Sequence, residues 1–170
     1  HHDLALLSIQ ELSVLTGRVF SAKAKTPAGL SDLIDRDIQL MRAYSIGVVF
    51  YSDNEYPPLL REVYDPPFAL FYRGNKEVIS SSCIAVVGTR RPTGRGMKSA
   101  HELSKELCGL DLTVVSGLAH GIDTYAHRGA VEGMVSCNRG STAAVLASGL
   151  DSIYPAENRK LASSILQNGG

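Results

Sequence analysis

Four basic side chains and no acidic one occur between positions 90 and 98 of this sequence, namely Arg90, Arg91, Arg95 and Lys98. They follow Gly88, and a second glycine-rich segment, 116–123 (S-G-L-A-H-G-I-D), occurs further along the chain. Glycines allow a backbone to approach an anion closely, and helix N-termini direct free N–H groups at it. These residue types predict a phosphate-binding site built from two loops.

Other chemistries fit these residues less well. The string G-R-G at 94–96 begins a dinucleotide-type G-x-G-x-x-G, but Ser99 stands in place of the third glycine. Asp123 and His127 have the spacing to share a helix face and to ligate a metal, but a helix-start carboxylate beside a histidine on a partly exposed face is the simpler interpretation. Ser116 lacks the G-x-S-x-G context of a nucleophile. We predict no catalytic residue, no metal and no cofactor.

Two further interpretations concern surface residues. Arg90 and Arg91 could form only a solvated pair, and this alternative stays open from the sequence. Tyr154 follows the apolar Ile153, which favours packing of its ring over stacking on a base.

Short apolar runs alternate with segments of helical spacing, and they predict the strands and helices that position these loops. The predicted strands are Ile84–Val87, Leu112–Val115 and Thr142–Leu146, and the predicted helices are Met97–Leu110, Ile122–Glu132 and Pro155–Gln167. Strand–helix repeats predict an α/β, Rossmann-like three-layer fold with a mainly parallel sheet. Continuous apolar runs are typical of strands buried on both faces. The carboxyl ends of parallel strands meet at one edge, so a third loop, 148–155, is expected beside the other two.

The first part of the chain has a different pattern. Residues 1–45 are predicted to be a small helical region, with helices over 4–15 and 30–41, and His1-His2 is interpreted as a tag remnant. Residues 46–170 are predicted to be the Rossmann-like domain, which begins with strands at 46–51 and 68–72 and a short helix between them.

Composition excludes several classes of protein. Apolar residues make up 44% of the 170 residues, which argues against disorder. Seventeen basic residues balance 17 acidic ones, so a nucleic-acid site must come from local clustering. No apolar run is long enough to span a membrane, and three cysteines without a C-x-x-C pair favour a reducing, cytoplasmic location.

Four ordered motifs resemble the DprA/Smf family of DNA-processing proteins. They are I-A-V-V-G-T-R-R-P at 84–92, V-V-S-G-L-A-H-G-I-D at 114–123, A-H-R-G-A at 126–130 and G-L-D-S-I-Y-P-A-E-N-R at 149–159. The segments Y-P-P-L-L at 56–60 and 67–74 resemble the stretch that precedes the Rossmann domain of that family. The resemblance covers roughly residues 46–169.

The resemblance implies an extended Rossmann fold and a non-hydrolysing protein that binds single-stranded DNA during natural transformation. It implies that the protein protects the strand, helps to load the RecA recombinase and forms a homodimer. The predicted phosphate-binding residues are Gly88, Thr89, Arg90, Arg91, Arg95, Lys98, Ser116, Gly117, His120, Gly121 and Asp123. The alternative is a nucleotide-processing enzyme similar to the lysine-decarboxylase-like phosphoribohydrolases, whose P-G-G-x-G-T-x-x-E signature is absent from the sequence.

Some positions depart from the family pattern. His120, with its pH-dependent charge, stands where the family often has a basic or bulkier residue. Residues 131–141 replace a shorter glycine turn, which predicts a looser loop or missing residues. Because the strand 84–87 lacks a second neighbour, we expect the natural polypeptide to continue beyond Gly170 with the other half of the sheet.

Overall fold

The computed structural model describes the backbone of residues 27–170 and the side chains of residues 34–170. Helix α1, Pro27–Ala43, includes the predicted helix over 30–41, whereas the predicted helix over 4–15 lies outside the described residues. Residues 43–170 form one compact unit, and all the predicted site residues belong to it. Within the described residues, no helix has the length and apolar character needed to cross a membrane.

A two-stranded antiparallel sheet precedes the predicted site. Strand β1, Gly47–Phe50, pairs with strand β2, Ala69–Tyr72, and helix α2, Pro58–Arg61, lies between them in the chain. A 3-10 turn, Lys76–Ser80, follows β2. In the described part of the chain these two strands form their own sheet and do not extend the parallel one.

The parallel sheet has three strands in the order β3-β4-β5, which are Cys83–Ala85, Thr113–Ser116 and Ser141–Ala144. Helix α3, Gly94–Gly109, connects β3 to β4, and helix α4, Ile122–Cys137, connects β4 to β5. A 3-10 turn, Ala156–Asn158, leads into helix α5, Arg159–Gln167. The predicted Rossmann-like α/β fold is confirmed, and the strands and helices predicted within residues 46–170 lie within about five residues of their predicted bounds.

The expected burial of the first parallel strand, 84–87, on both faces is wrong, although Val86 is buried. All three residues of β3 are exposed, with Ile84 at 39%, and Val87 just beyond the strand is 68% exposed. These residues are exposed because β3 lies at an edge of the described sheet, where it pairs only with β4. Strand β4 pairs on both sides, and its Val114 is fully buried.

The core lies between the sheet and the pair of helices α3 and α4. Its buried side chains are Val86, Cys108, Val114, Ala126, Ala130 and Met134. Residues 131–137 are the last two turns of α4, so the expected looser loop is also wrong. The helix ends at Asn138, whose φ of 50° is left-handed and whose N–H donates to the Met134 carbonyl at 2.9 Å. Gly140 then donates its N–H to Asp111 Oδ1 at 2.9 Å, which closes the turn into β5.

Candidate nucleic-acid interface

The loop after β3, residues 88–93, is called the arginine loop here, and it is attached to the start of α4. The carbonyl oxygen of Thr89 accepts a hydrogen bond of 3.1 Å from the backbone N–H of Ile122. The Thr89 hydroxyl oxygen accepts another from the N–H of Arg91 at 3.2 Å. A Cβ on Gly88 would lie 2.7 Å from Ile122 Cγ1, so this glycine permits the close packing of loop on helix.

The loop after β4, residues 117–121, is called the glycine loop and meets the arginine loop backbone to backbone. Gly121 has a φ of 82°, and a Cβ there would lie 2.7 Å from the carbonyl carbon of Arg90. Gly117 donates its N–H to Asp123 Oδ2 at 3.2 Å, and a Cβ on Gly117 would lie 2.8 Å from that same oxygen. The two predicted loops therefore converge.

The basic residues of the arginine loop and of the adjoining helix are exposed. Arg90, Arg91, Arg95 and Lys98 are all exposed, and within residues 34–170 no carboxylate lies within 4.0 Å of any of them. Helix α3 carries no acidic residue in its first turn, and Thr93 caps it by accepting the Gly96 N–H at 3.2 Å. Cations near a helix N-terminus oppose the helix dipole, so a bound anion would relieve an unfavourable arrangement.

Ser116 and Asp123 have structural roles in this geometry. Ser116 is only 2% exposed, and its hydroxyl donates to the Val86 carbonyl at 2.7 Å, which links β4 to the end of β3. Asp123 is 7% exposed, and its carboxylate accepts from the glycine loop. Both side chains are turned to the protein, and their role in phosphate binding stays a prediction.

His127 is also placed differently from the expectation of a partly exposed helix face. It is fully buried, and its Nδ1 lies 2.8 Å from Thr142 Oγ1. The Thr142 hydroxyl donates to the Val114 carbonyl at 2.7 Å, so Nδ1 carries the proton and donates. The Nε2 atom has no hydrogen-bond partner among the described residues. Burial lowers the pKa of His127 to about 4, although the nearby Asp123 carboxylate and the Ser116 backbone favour the protonated form.

A third segment, residues 154–158, contacts the glycine loop, and its main contact was not predicted. The buried Asn158 donates from Nδ2 to the Leu118 carbonyl and to Thr124 Oγ1, both at 2.8 Å. His120 is exposed, and its Nε2 lies 4.0 Å from Glu157 Oε2. The amide in the string P-A-E-N-R was the available signal, because a polar residue just before a helix often binds neighbouring backbone groups.

Tyr154 is 71% exposed, so the predicted packing of its ring is wrong. Pro155, the next residue, is fully buried.

A cavity of about 340 Å³ lies elsewhere, lined by β5, α5 and the 3-10 turn after β2. It touches the glycine loop only at Leu118 and includes none of the predicted phosphate-binding residues. Its lining is mainly apolar. The exposed basic cluster, and not this cavity, is therefore the candidate site.

Comparisons with known proteins identify a family and a fold that this chain shares. Residues 47–170 match the family model described as DNA recombination-mediator protein A. The DNA processing protein DprA of Bacillus subtilis is 35% identical over 136 residues, which are 79% of this chain and 44% of that protein. The DNA processing protein DprA of Streptococcus pneumoniae is 39% identical over 128 residues, 75% of this chain and 42% of that protein. The chain thus spans less than half the length of these two curated relatives.

Two solved structures share the fold. The X-ray structure of DNA processing protein A from Streptococcus pneumoniae superposes with a TM-score of 0.64 at 30% identity, covering 95% of this chain and 58% of that one. The Helicobacter pylori protein superposes with a TM-score of 0.63 at 29% identity, covering 74% of this chain and 54% of that one. The latter structure is described as giving insight into a single-stranded DNA binding mode.

Proposed function

The chain belongs to the DNA recombination-mediator protein A family, that is DprA/Smf, and from that premise we propose that its arginine loop binds the phosphates of single-stranded DNA. The observation that carries the proposal is the exposed cluster of Arg90, Arg91, Arg95 and Lys98, which no carboxylate within the described side chains neutralises.

The chemistry of the cluster suits phosphate. Arginine offers a planar fork of N–H donors that matches two phosphate oxygens at once. Thr89 is hydrogen-bonded to Ile122, so the backbone beneath Arg90 and Arg91 is held by both a strand and a helix. The chain as a whole has no net charge, so attraction to a polyanion depends on this local cluster.

Binding without hydrolysis is part of the proposal. The Ser116 hydroxyl donates to a backbone carbonyl, and the neutral His127 ring is buried beside Thr142, so neither side chain is available as a nucleophile or base toward a ligand. The comparisons favour DNA processing over the phosphoribohydrolase alternative. Incubation with nucleoside monophosphates should release no base, and detection of free base would revive the enzyme interpretation.

For the protein as a whole we propose a role in natural transformation that goes beyond strand binding. The protein would protect an incoming strand in the cytoplasm and help to load the RecA recombinase onto it. The family description as a recombination mediator supports this proposal. We also propose a homodimer, on the resemblance to the family. Sedimentation tests the dimer, and stimulation of RecA filament assembly on coated single strands tests the loading.

Strand preference tests the binding proposal. Labelled oligo-dT and a duplex of equal length are titrated with the chain at low salt, with fluorescence anisotropy as the readout. We expect tighter binding to the single strand. Failure to bind either oligonucleotide, or tighter binding to the duplex, would overturn the proposal.

A further inference from the structure

Tyr154 has an exposed ring, and the residues that follow it in the chain are held by buried contacts. The ring is 71% exposed, whereas Pro155 beside it and Asn158 four residues after it are buried. Asn158 donates two 2.8 Å hydrogen bonds, one of them to the Leu118 carbonyl of the glycine loop. Within the described part of the chain, no aromatic pair or cation–π contact includes Tyr154. The ring is thus free for a ligand, and its attachment point is held by interior contacts.

The glycine loop contacts both the arginine loop and the segment 154–158, which contains Tyr154. One contact is from Asn158 to Leu118 at 2.8 Å, and His120 Nε2 lies 4.0 Å from Glu157 Oε2. The other contact is the close approach of Gly121 to the backbone of Arg90. The ring and the basic cluster therefore belong to the two loops that flank the glycine loop at the carboxyl edge of one sheet.

We propose that Tyr154 is the nucleobase platform of this site and stacks on an unpaired base while the arginine loop holds the phosphates. The proposal rests on the proposed function and deepens it, because phosphate contacts alone do not separate single strands from duplexes. A base within a duplex has both faces covered by its neighbours, whereas an unpaired base offers a face to an aromatic ring. Tyr154 therefore supplies the strand preference.

Three variants test the proposal in the full chain. Tyr154→Ala removes the ring, Tyr154→Phe retains it, and Tyr64→Ala is the matched control, since Tyr64 is fully exposed but belongs to the segment between α2 and β2. Stacking loss costs on the order of tenfold in affinity per base. We expect Tyr154→Ala to bind oligo-dT on the order of tenfold more weakly with an unchanged salt slope, and to bind duplex as the parent does. Tyr154→Phe and Tyr64→Ala should match the parent.

An abasic strand provides a readout that needs no variant. The parent chain should bind an oligonucleotide of abasic sites as weakly as Tyr154→Ala binds oligo-dT, and the variant should lose nothing further on that strand. Because the chain has no tryptophan and seven tyrosines, its own fluorescence reports on tyrosine. Oligo-dT should quench the tyrosine fluorescence of the parent chain, and the quenching should be smaller in the Tyr154→Phe variant.

The outcomes separate the two claims. Equal oligo-dT affinity of the parent and Tyr154→Ala, together with weakened binding by an Arg90→Ala/Arg91→Ala variant, would overturn the stacking proposal and leave the proposed function standing. Equal loss of duplex and single-strand binding in Tyr154→Ala would also overturn it, because that result indicates a disturbed loop. A parent chain that binds no oligonucleotide would overturn both.

Discussion

The N–H of Ile122 donates a 3.1 Å hydrogen bond to the carbonyl oxygen of Thr89. Ile122 is the first residue of helix α4, so this N–H, one of those that a helix start commonly offers to an anion, is already used by the protein. The bond fixes the arginine loop to the helix. Affinity for phosphate is therefore expected to come mainly from the exposed arginine side chains, and the helix start serves as their support.

Replacement of Gly121 by alanine should separate the two loops. The residue has a φ of 82°, and an added Cβ would lie 2.7 Å from the Arg90 carbonyl carbon, so both conformation and space oppose a side chain. We expect Gly121→Ala to lower the free energy of unfolding by about 2 kcal/mol or more and to weaken oligonucleotide binding. Urea denaturation and anisotropy measure the two effects.

The control for this variant is Gly94→Ala. A Cβ on Gly94 would meet no atom within 4 Å, and the residue begins helix α3. Alanine there should leave stability unchanged or raise it by a few tenths of a kcal/mol, roughly the helix-propensity gain at a terminal position. If Gly121→Ala and Gly94→Ala unfold at the same urea concentration, the described packing of the two loops is wrong.

Asn158→Ala should destabilise the glycine loop. The substitution removes two buried 2.8 Å hydrogen bonds and leaves the Leu118 carbonyl without this donor. Loss of a buried partner costs about 1–3 kcal/mol, to be measured by urea denaturation. Asn168→Ala is the matched control, because Asn168 is exposed and its Nδ2 donates to the Ser164 carbonyl of the helix that it follows. Equal stability of the two variants would contradict the structural role of Asn158.

Stability should fall as the pH is lowered from about 6.5 to 4, and His127 should cause much of the loss. Burial lowers the pKa of His127 to about 4 from its ordinary 6.5. In that interval the unfolded chain binds a proton that the folded chain does not, so protonation favours unfolding. The pKa difference between the unfolded and folded chain corresponds to about 3 kcal/mol of folding stability. This stability is present above pH 6.5 and is lost as the pH falls toward 4.

Urea denaturation at several pH values measures this effect. His127→Gln cannot take up the proton and should show a flatter pH dependence, even though it starts from a lower stability. A variant whose unfolding free energy follows the same pH profile as the parent would show that other groups are responsible.

The sequence predicts the three parallel strands and the meeting of their loops, because apolar runs, glycines and helical spacing are local signals. It also predicts that the strand 84–87 lacks a second neighbour, but not that its side chains are exposed, since a continuous apolar run is typical of a strand buried on both faces. Ile84 therefore has a core-like residue type and an exposed position. The burial of His127 was missed because its partner Thr142 is 15 residues away on β5.

Within the site, the residue type alone predicts only in part which side chains are exposed and which are buried. Arginines such as Arg90 and Arg91 are expected at the surface on charge alone, and they are exposed. Ser116 and Tyr154 show the limit. Ser116 is interior because its hydroxyl has a carbonyl partner, whereas the aromatic ring of Tyr154 is exposed beside a buried proline.

The salt dependence of binding tests the central claim most directly. Arg90→Ala/Arg91→Ala should weaken binding to single-stranded oligonucleotides with little dependence on sequence, and should make the plot of log affinity against log salt shallower by roughly one to one and a half units. Arg139→Ala, an exposed arginine before β5 and so at the other end of that strand, should change the slope little. Both should unfold at the parent's urea concentration. An unchanged affinity and slope for the double variant would contradict the claim and leave Arg90 and Arg91 as a solvated surface pair.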